Sequence, residues 1–529
     1  MNRLSRVTIG AAGLVSLLLA PGCTNLDEEP ISQINAGNFF HTEGEVLAGL
    51  AGVYAQLRTV APEGGIYDVS EITTDEDVVP TRGQDWYDNG QWIDLHNMTW
   101  TPTSAATANF FNGVWNNPYQ GIARANLFLA AIQNSTVPNK ASIVAEVKTL
   151  RAYFYYVLMD FFGGVPIVTT TEVGTHARNT RKEVFDFIET ELLAARADLP
   201  ATRPQSDNGR ITQGAVDAIL ANMYLNAGVF TKEGAAGGIS GTTYNTCQGI
   251  TVTGGDACAQ AIAIATNLIN SGAYKLADSF PQNFRADNNN SPENIFVVKF
   301  IAQDQLGMNY IMSILHYNSI SGLSPWNGFA TLAQTYNAFD PADKRRNVFL
   351  IGLQHDVLSG APVNDRAGSP LVFTDSIPDI HSATEGQGPR IYKWPADPAH
   401  VSWYNGNDYA LFRLGEIYLI KAEAEWATGN SAGALVDLNV LRARTAPVAA
   451  PLASIDAAGQ TILNERLFEL VGEGKRRQDL IRFGQYTGRT DDASGIAGGK
   501  QPAGDFHVVM PIPQSQIDAN PKLTQNTGY

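Results

Sequence analysis

Apolar residues recur at helical spacing in stretch after stretch of this chain, and that period restricts it to a helix-rich fold. Thr42 followed by Glu45 has capping-box spacing, and Val46, Leu47, Leu50, Val53, Tyr54 and Leu57 then share one face. Ile143, Val147, Leu150, Phe154 and Leu158 trace a second stripe, which Gly163, Gly164 and Pro166 bring to a stop. Thr180 and Glu183 open a third helix carrying Val184, Phe185, Ile188 and Leu192. A fourth runs through Ala218, Ile219, Ala221, Met223, Tyr224 and Leu225. Near the C-terminus a helix over residues 409–426 is expected to pair with one over 432–441 across Gly429. Each stripe needs a cover, so antiparallel helix packing follows.

Between these helices lie two long irregular regions, 61–103 and 286–407, rich in Gly, Pro, Asn and Asp. Loops of that length are usually functional or disordered, and their aromatic content argues for order. Charged residues make up 17% and hydrophobic residues 44% of the 529, which excludes wholesale disorder. With 36 Lys and Arg against 52 Asp and Glu, a net charge of −16 repels a phosphate backbone and excludes a nucleic-acid partner. One apolar run, Val7 to Ala20 behind Arg3 and Arg6, has the length of an export signal, so residues 1–22 are read as a signal peptide. Gly22 before Cys23 resembles a bacterial lipobox, in which the cysteine carries a lipid anchor. Residues 23–529 are read as a single domain, a helical scaffold with inserted loops. Cys247 and Cys258 flank a Gly/Thr-rich segment and read either as a disulfide closing a surface loop or as two buried thiols.

Catalytic signatures are missing: there is no HExxH, no phosphate loop and no GxSxG elbow. The eight histidines are scattered, and neither a metal nor a cofactor is expected. Asp75, Glu76 and Asp77 could supply a carboxylate pair for glycoside hydrolysis, although adjacent acids on a loop are more often solvated. The tryptophans are the stronger anomaly. Four of eight, Trp86, Trp92, Trp100 and Trp115, fall within residues 86–115. Trp100 and Trp115 border or enter the next helix and are assigned to the core. Trp86 and Trp92, with Arg82, Asp85 and His96, form the candidate ligand-binding set, and Trp326 between turn residues is a candidate second wall. Flat rings beside short polar side chains suit a sugar, which offers an apolar C–H face and a polar rim.

Gly415, Tyr418, Ala422, Gly429 and Ala434 fall near the small and aromatic positions of a tetratricopeptide helix pair, and 151–162 and 215–228 look like degenerate relatives of its first helix. Five ordered segments then resemble the SusD/RagB family of outer-membrane lipoproteins. They are Cys23 followed by Leu26, Asp27 and Pro30; Arg151-Ala-Tyr-Phe-Tyr-Tyr through Phe162-Gly-Gly-Val-Pro166; Phe412-Arg-Leu-Gly-Glu-Ile-Tyr-Leu-Ile-Lys-Ala-Glu-Ala424; Glu465 to Gly474 with Arg476-Arg-Gln-Asp-Leu480; and Pro511-Ile-Pro to Pro521. The resemblance implies a mainly α, SusD-like fold with about four tetratricopeptide-like helix pairs, long irregular loops and minor β structure. It also implies a non-catalytic lipoprotein, anchored in the outer membrane and facing outward, that captures oligosaccharides and passes them to a SusC-like TonB-dependent transporter. A lid for peptides or other nutrients is the alternative on the same scaffold, and a carbohydrate-active hydrolase a more distant one. Arg466, Glu469, Glu473, Arg476, Arg477 and Asp479 are assigned to fold stabilisation, with opposite charges meeting on neighbouring turns.

Overall fold

The chain's regular structure consists of helices α1 (Glu43–Tyr54), α2 (Gly65–Ile72), α3 (Gln91–Asn97), α4 (Asn112–Ala131), α5 (Lys140–Phe162), α6 (Arg181–Arg196), α7 (Gln213–Leu225), α8 (Ala227–Phe230), α9 (Ala257–Asn270), α10 (Tyr310–Ile314), α11 (Ala333–Ala338), α12 (Leu414–Ala427), α13 (Ser431–Ala443), α14 (Gln460–Leu470), α15 (Arg476–Arg482) and α16 (Gln514–Ala519). The structure is a computed structural model and describes residues 40, 42–62, 65–444 and 449–529. Residues 1–22, read as a signal peptide, and Cys23 lie outside the described residues. Both capping boxes form: Thr42 and Glu45 open α1, and Thr180 and Glu183 open α6. Among the described residues no helix is long and apolar enough to cross a membrane.

The helices pack in succession, α4 on α5, α5 on α6, α6 on α7, α7 on α9, α9 on α12 and α12 on α13, with α1 against α4 and α5. Taken two at a time, they give the pairs α1/α4, α5/α6, α7/α9 and α12/α13, stacked as a short solenoid. Close approach has a local cause at Gly121, where an added Cβ would stand 2.6 Å from Phe154 Cδ2, so α4 and α5 meet there only because the side chain is hydrogen. Cys247 and Cys258 form a disulfide with both side chains fully buried, so the bond sits in the interior at the start of α9 and not at the surface.

Among the described residues, the strands form short antiparallel pairs: β1 (Thr251–Val252) with β2 (Gly255–Asp256), β3 (Asn294–Val298) with β8 (Tyr409–Arg413), β4 (Phe349–Leu350) with β7 (Arg390–Ile391), and β5 (Gly352–Leu353) with β6 (Val372–Phe373). Residues 409–413 are therefore a strand and not the start of a helix. All five are buried, and a short continuous apolar run does not separate strand from buried helix by period. The two long regions are also less irregular than expected, since the first carries α2 and α3 and the second α10, α11 and most of the strands. They hold cores of their own. Val78, Ala330, Leu332, Ile377, Ile380 and Ala383 form one apolar cluster, tied by the Val78–Ala330 backbone bridge, and Val363, Leu371 and Phe373 form another.

The C-terminal charges are paired within the fold, but by a different geometry from the one expected. They are buried, and most partners come from distant elements. Arg413 Nη1 donates to Glu293 and Glu469, each at 2.7 Å, and its Nη2 and Nε reach Glu473 at 2.7 and 2.8 Å. Arg476 pairs with Asp75 at 2.8 Å, Arg477 with Asp160 at 2.9 Å, and Arg466 with Asp479 at 2.8 Å. Within this C-terminal group, among the described residues, the pair that spans a single turn is Arg482 with Asp479. Ions buried this deeply have to be paired on every side, and that requirement fixes how α12, α14, α15 and β8 register.

Candidate functional site

Trp86 and Trp326, 240 residues apart in sequence, are brought together by a hydrogen bond from Trp86 Nε1 to the Trp326 carbonyl at 2.7 Å. Two turns make this possible. Arg82 and Asp85 exchange backbone hydrogen bonds of 2.9 and 3.0 Å, and the chain leaves that turn with Trp86 at φ +64°. Opposite it, the N–H groups of Trp326, Asn327 and Gly328 are held by the carbonyls of Met312, Leu315 and Ser313 around α10, with Asn327 at φ +55°. Left-handed backbone at non-glycine residues is held only where the surroundings impose it. Asn327 is locked by its buried amide, which donates to the Glu385 carbonyl and accepts from Arg390 Nη2 at 3.0 Å. The indole of Trp86 lies on Gly328, where any Cβ would come within 2.5 Å of Cε2, and against Trp92 and Phe329 with ring centroids 5.3 and 6.2 Å away. What faces solvent is Trp326, 39% exposed, Tyr87, 60% exposed, and the outer part of Trp86.

A polar rim borders these rings. Asp85 accepts from the Tyr317 hydroxyl at 2.6 Å and from Arg366 Nη2 at 3.0 Å, and the Arg366 guanidinium lies 4.1 Å over the Tyr317 ring. Arg366 also binds Glu385, whose other oxygen faces His316 Nε2 at 2.9 Å. Because His316 Nδ1 accepts from the Asn318 N–H, its proton sits on Nε2. Burial holds His316 below its ordinary value against the pull of Glu385. Burial would raise Glu385, but the Arg366 N–H, His316 and the Arg366 guanidinium outweigh it and hold the carboxyl at about 2. Burial, with Asp85 beside it, pushes Tyr317 up to about 12. The rim therefore keeps fixed charges and fixed hydrogen-bond directions near neutral pH, which suits non-covalent recognition of hydroxyls.

Of the residues singled out in the sequence, Trp86, Trp326 and Asp85 converge. Trp92 and His96 do not join them at the surface. Both lie on α3, with Trp92 and Leu95 three apart and His96 next to Leu95, and all three face inward. Trp92 is 8% exposed and supports Trp86 from beneath, with its Nε1 on Asp88 at 2.8 Å. His96 is fully buried between the Ile72 carbonyl and Asp491. Arg82 is buried as well and binds the Thr384 and Gln387 carbonyls, so it braces the 384–387 loop. Trp100 and Trp115 are core residues, as expected. Tyr317, Arg366, Glu385 and Asn327 escaped sequence analysis, because no local pattern marks residues whose partners lie 19 to 281 positions away.

Asp75, Glu76 and Asp77 are not a hydrolytic pair. Asp75 is consumed by Arg476, Glu76 accepts the Gly472 N–H, and Glu76 and Asp77 are buried. Glu71 is fully buried as well, and burial pushes it up from 4.5 to about 8. A carboxyl whose folded value lies above its unfolded one gives stability that is present below the unfolded value and lost as pH rises through the folded value. Glu71→Gln removes that loss. The variant's melting temperature should match wild type near pH 4 and exceed it by a widening margin toward pH 9 in calorimetric scans. A margin that stays flat with pH would contradict the placement of the proton.

Comparison with known proteins adds a second line of observation. A SusD family model matches residues 334–529, and a model described as starch-binding, associating with the outer membrane, matches residues 26–225. The starch-binding protein SusD of Bacteroides thetaiotaomicron is 27% identical, with 98% of each chain covered. Among solved structures, a laminarin-binding SusD-like protein aligns with a TM-score of 0.71 at 22% identity over 93% of this chain and all of its own. Surface glycan-binding protein A from Bacteroides thetaiotaomicron, solved with laminarihexaose, aligns with a TM-score of 0.70 at 21% identity over 92% of this chain and 99% of its own.

Proposed function

The chain belongs to the SusD/RagB family, and from that membership we propose that it is a non-catalytic binding protein for oligosaccharides at the outer membrane. Residues 1–22 direct export, Cys23 carries the lipid anchor, and residues 23–529 form one domain that hands its cargo to a SusC-like TonB-dependent transporter. The observation that carries the assignment is the convergence of Trp86 and Trp326 into one aromatic face bordered by Asp85, Tyr317 and Arg366, with Tyr87 exposed next to Trp86 in the chain. A pyranose ring laid on that face covers indole with its C–H side while its hydroxyls meet the charged rim. Each stacked ring is worth about 0.5–1.5 kcal/mol and each net hydrogen bond about 1 kcal/mol, less the cost of ordering the sugar, so affinities are modest.

Titration calorimetry of residues 23–529 with laminari- and malto-oligosaccharides tests this. Trp326→Ala should weaken binding by up to about tenfold, the loss of one stacking partner, with an unchanged helical circular-dichroism signal. Trp326 holds Trp86 through its backbone carbonyl, which the substitution keeps. Unchanged affinity would remove the aromatic face from the binding surface, and a tight peptide ligand that ignores Trp326→Ala would favour the alternative cargo.

A further inference from the structure

The turn that launches Trp86 has a second side. Arg82 and Gly83 line a cleft of about 480 Å³, closed by Arg366 and Ala367 from one loop, Val372 from β6, and Glu385 from the loop that Arg82 braces. That volume is within the range of roughly 300–1,000 Å³ typical of pockets that enclose small ligands. Ala367 and Val372 are exposed, and an added Cβ at Gly83, itself at φ +67°, would meet nothing within 4 Å, so the mouth is open. Its floor, in contrast, is rigid. Arg82 grips the Thr384 and Gln387 carbonyls, and Gly386 can pass the Val372 carbonyl only because it has no side chain.

Arg366 joins the cleft to the aromatic face. One arm of its guanidinium holds Asp85 on the side of Trp86, its Nε holds Glu385 inside the cleft, and Nη1 makes no hydrogen bond among the described residues. The lining has both signs of charge, Arg82 and Arg366 against Asp365 and Glu385. Such a surface matches neutral hydroxyls, which donate and accept at once, better than it matches a charged group.

We propose that this cleft is an additional carbohydrate subsite, contiguous with the aromatic face, that receives the sugar units beyond those stacked on Trp86 and Trp326 and makes the protein selective for longer oligosaccharides. The inference rests on the binding function proposed above. Its structural basis is the Arg366 bridge, which places hydroxyl-binding groups on one continuous path from indole to cleft.

The test is calorimetry with two homologous series, laminari-oligosaccharides and malto-oligosaccharides, from disaccharide to heptasaccharide. Wild type should gain about tenfold or more in affinity between the short and long members of the series it binds, the worth of one or two added net hydrogen bonds. Ala367→Trp, which fills the cleft from an exposed turn, should leave the short members unaffected and reduce the gain with length to about twofold or less. Val372→Trp should do the same from a neighbouring strand, and Ala367→Ser should retain the gain, which guards against a local folding defect in any one variant. Affinity that does not depend on length, or a gain with length that survives both tryptophan variants, overturns the subsite and leaves the aromatic face standing. No binding of either series by wild type overturns both the subsite and the glycan-binding function on which it rests.

Discussion

Arg413→Met should destabilise the protein by about 3–5 kcal/mol at pH 7, the cost of leaving buried carboxylates without their cation. Methionine keeps the apolar stem and loses the guanidinium, so a small void accompanies an effect that is mainly electrostatic. Arg413 lies where Glu293, Glu469 and Glu473 converge, all buried, and no single neighbour can replace it. Arg444 still reaches Glu293 and Glu469, and Lys393 still reaches Glu473 at 2.5 Å, so the hole that remains holds partly compensated charge and not bare charge. The pH dependence identifies the cause. Burial alone would raise the three carboxyls, yet Arg413 and its neighbouring cations hold all of them below the ordinary glutamate range. Carboxyls lowered on folding contribute stability that is present above their unfolded value and lost as pH falls through the folded one. Wild type therefore loses this contribution on acidification, whereas the variant, with its carboxyls free to take protons, has less to lose. The gap in melting temperature should be widest near neutrality and close below about pH 4.5. A gap of constant size across that range would point to packing instead.

That cluster also shows where sequence analysis succeeds and where it stops. Helices with a stripe and a cap were legible, because Thr42 with Glu45 and Thr180 with Glu183 are local chemistry and give the same answer in any context. The strand at Tyr409–Arg413 was not, since its partner β3 lies more than a hundred residues earlier and its burial on both faces removes the period-two signal. The charged C-terminal run was legible as structural, but the spacing that suggested neighbouring turns concealed contacts with Asp75, Asp160 and Arg413. At the site, tryptophan density led to Trp86, and the turn residues around Trp326 led to its partner. Trp92 and His96 were misplaced for a reason that was present in the sequence: with Leu95 they occupy i, i+3 and i+4, the inward face of a helix, in a region read as loop. Tyr317 and Arg366 left no trace, because a guanidinium over a ring is a property of the folded state alone.

Trp86→Ala should weaken oligosaccharide binding by about thirtyfold or more, the loss expected when a central aromatic anchor is truncated. The effect exceeds that of Trp326→Ala because Trp86 does two things. It supplies ring surface, and its Nε1 fixes the turn that presents Trp326, so its removal frees the second wall as well as deleting the first. The backbone supplies an independent check. Gly328→Ala removes no atom that a sugar could touch, but its new methyl would fall within 2.5 Å of Trp86 Cε2 while Trp92 and Phe329 block retreat on the far side. The indole has to swing outward or the 326–328 turn has to shift, and Trp326, Asn327 and Gly328 are each tied to backbone carbonyls around α10. Binding should fall by about tenfold, with a stability loss of about 1–3 kcal/mol typical of overpacking. If Gly328→Ala kept wild-type affinity while Trp86→Ala abolished it, the indole would be contributing without a fixed orientation, and a face prebuilt across 240 residues would no longer explain recognition.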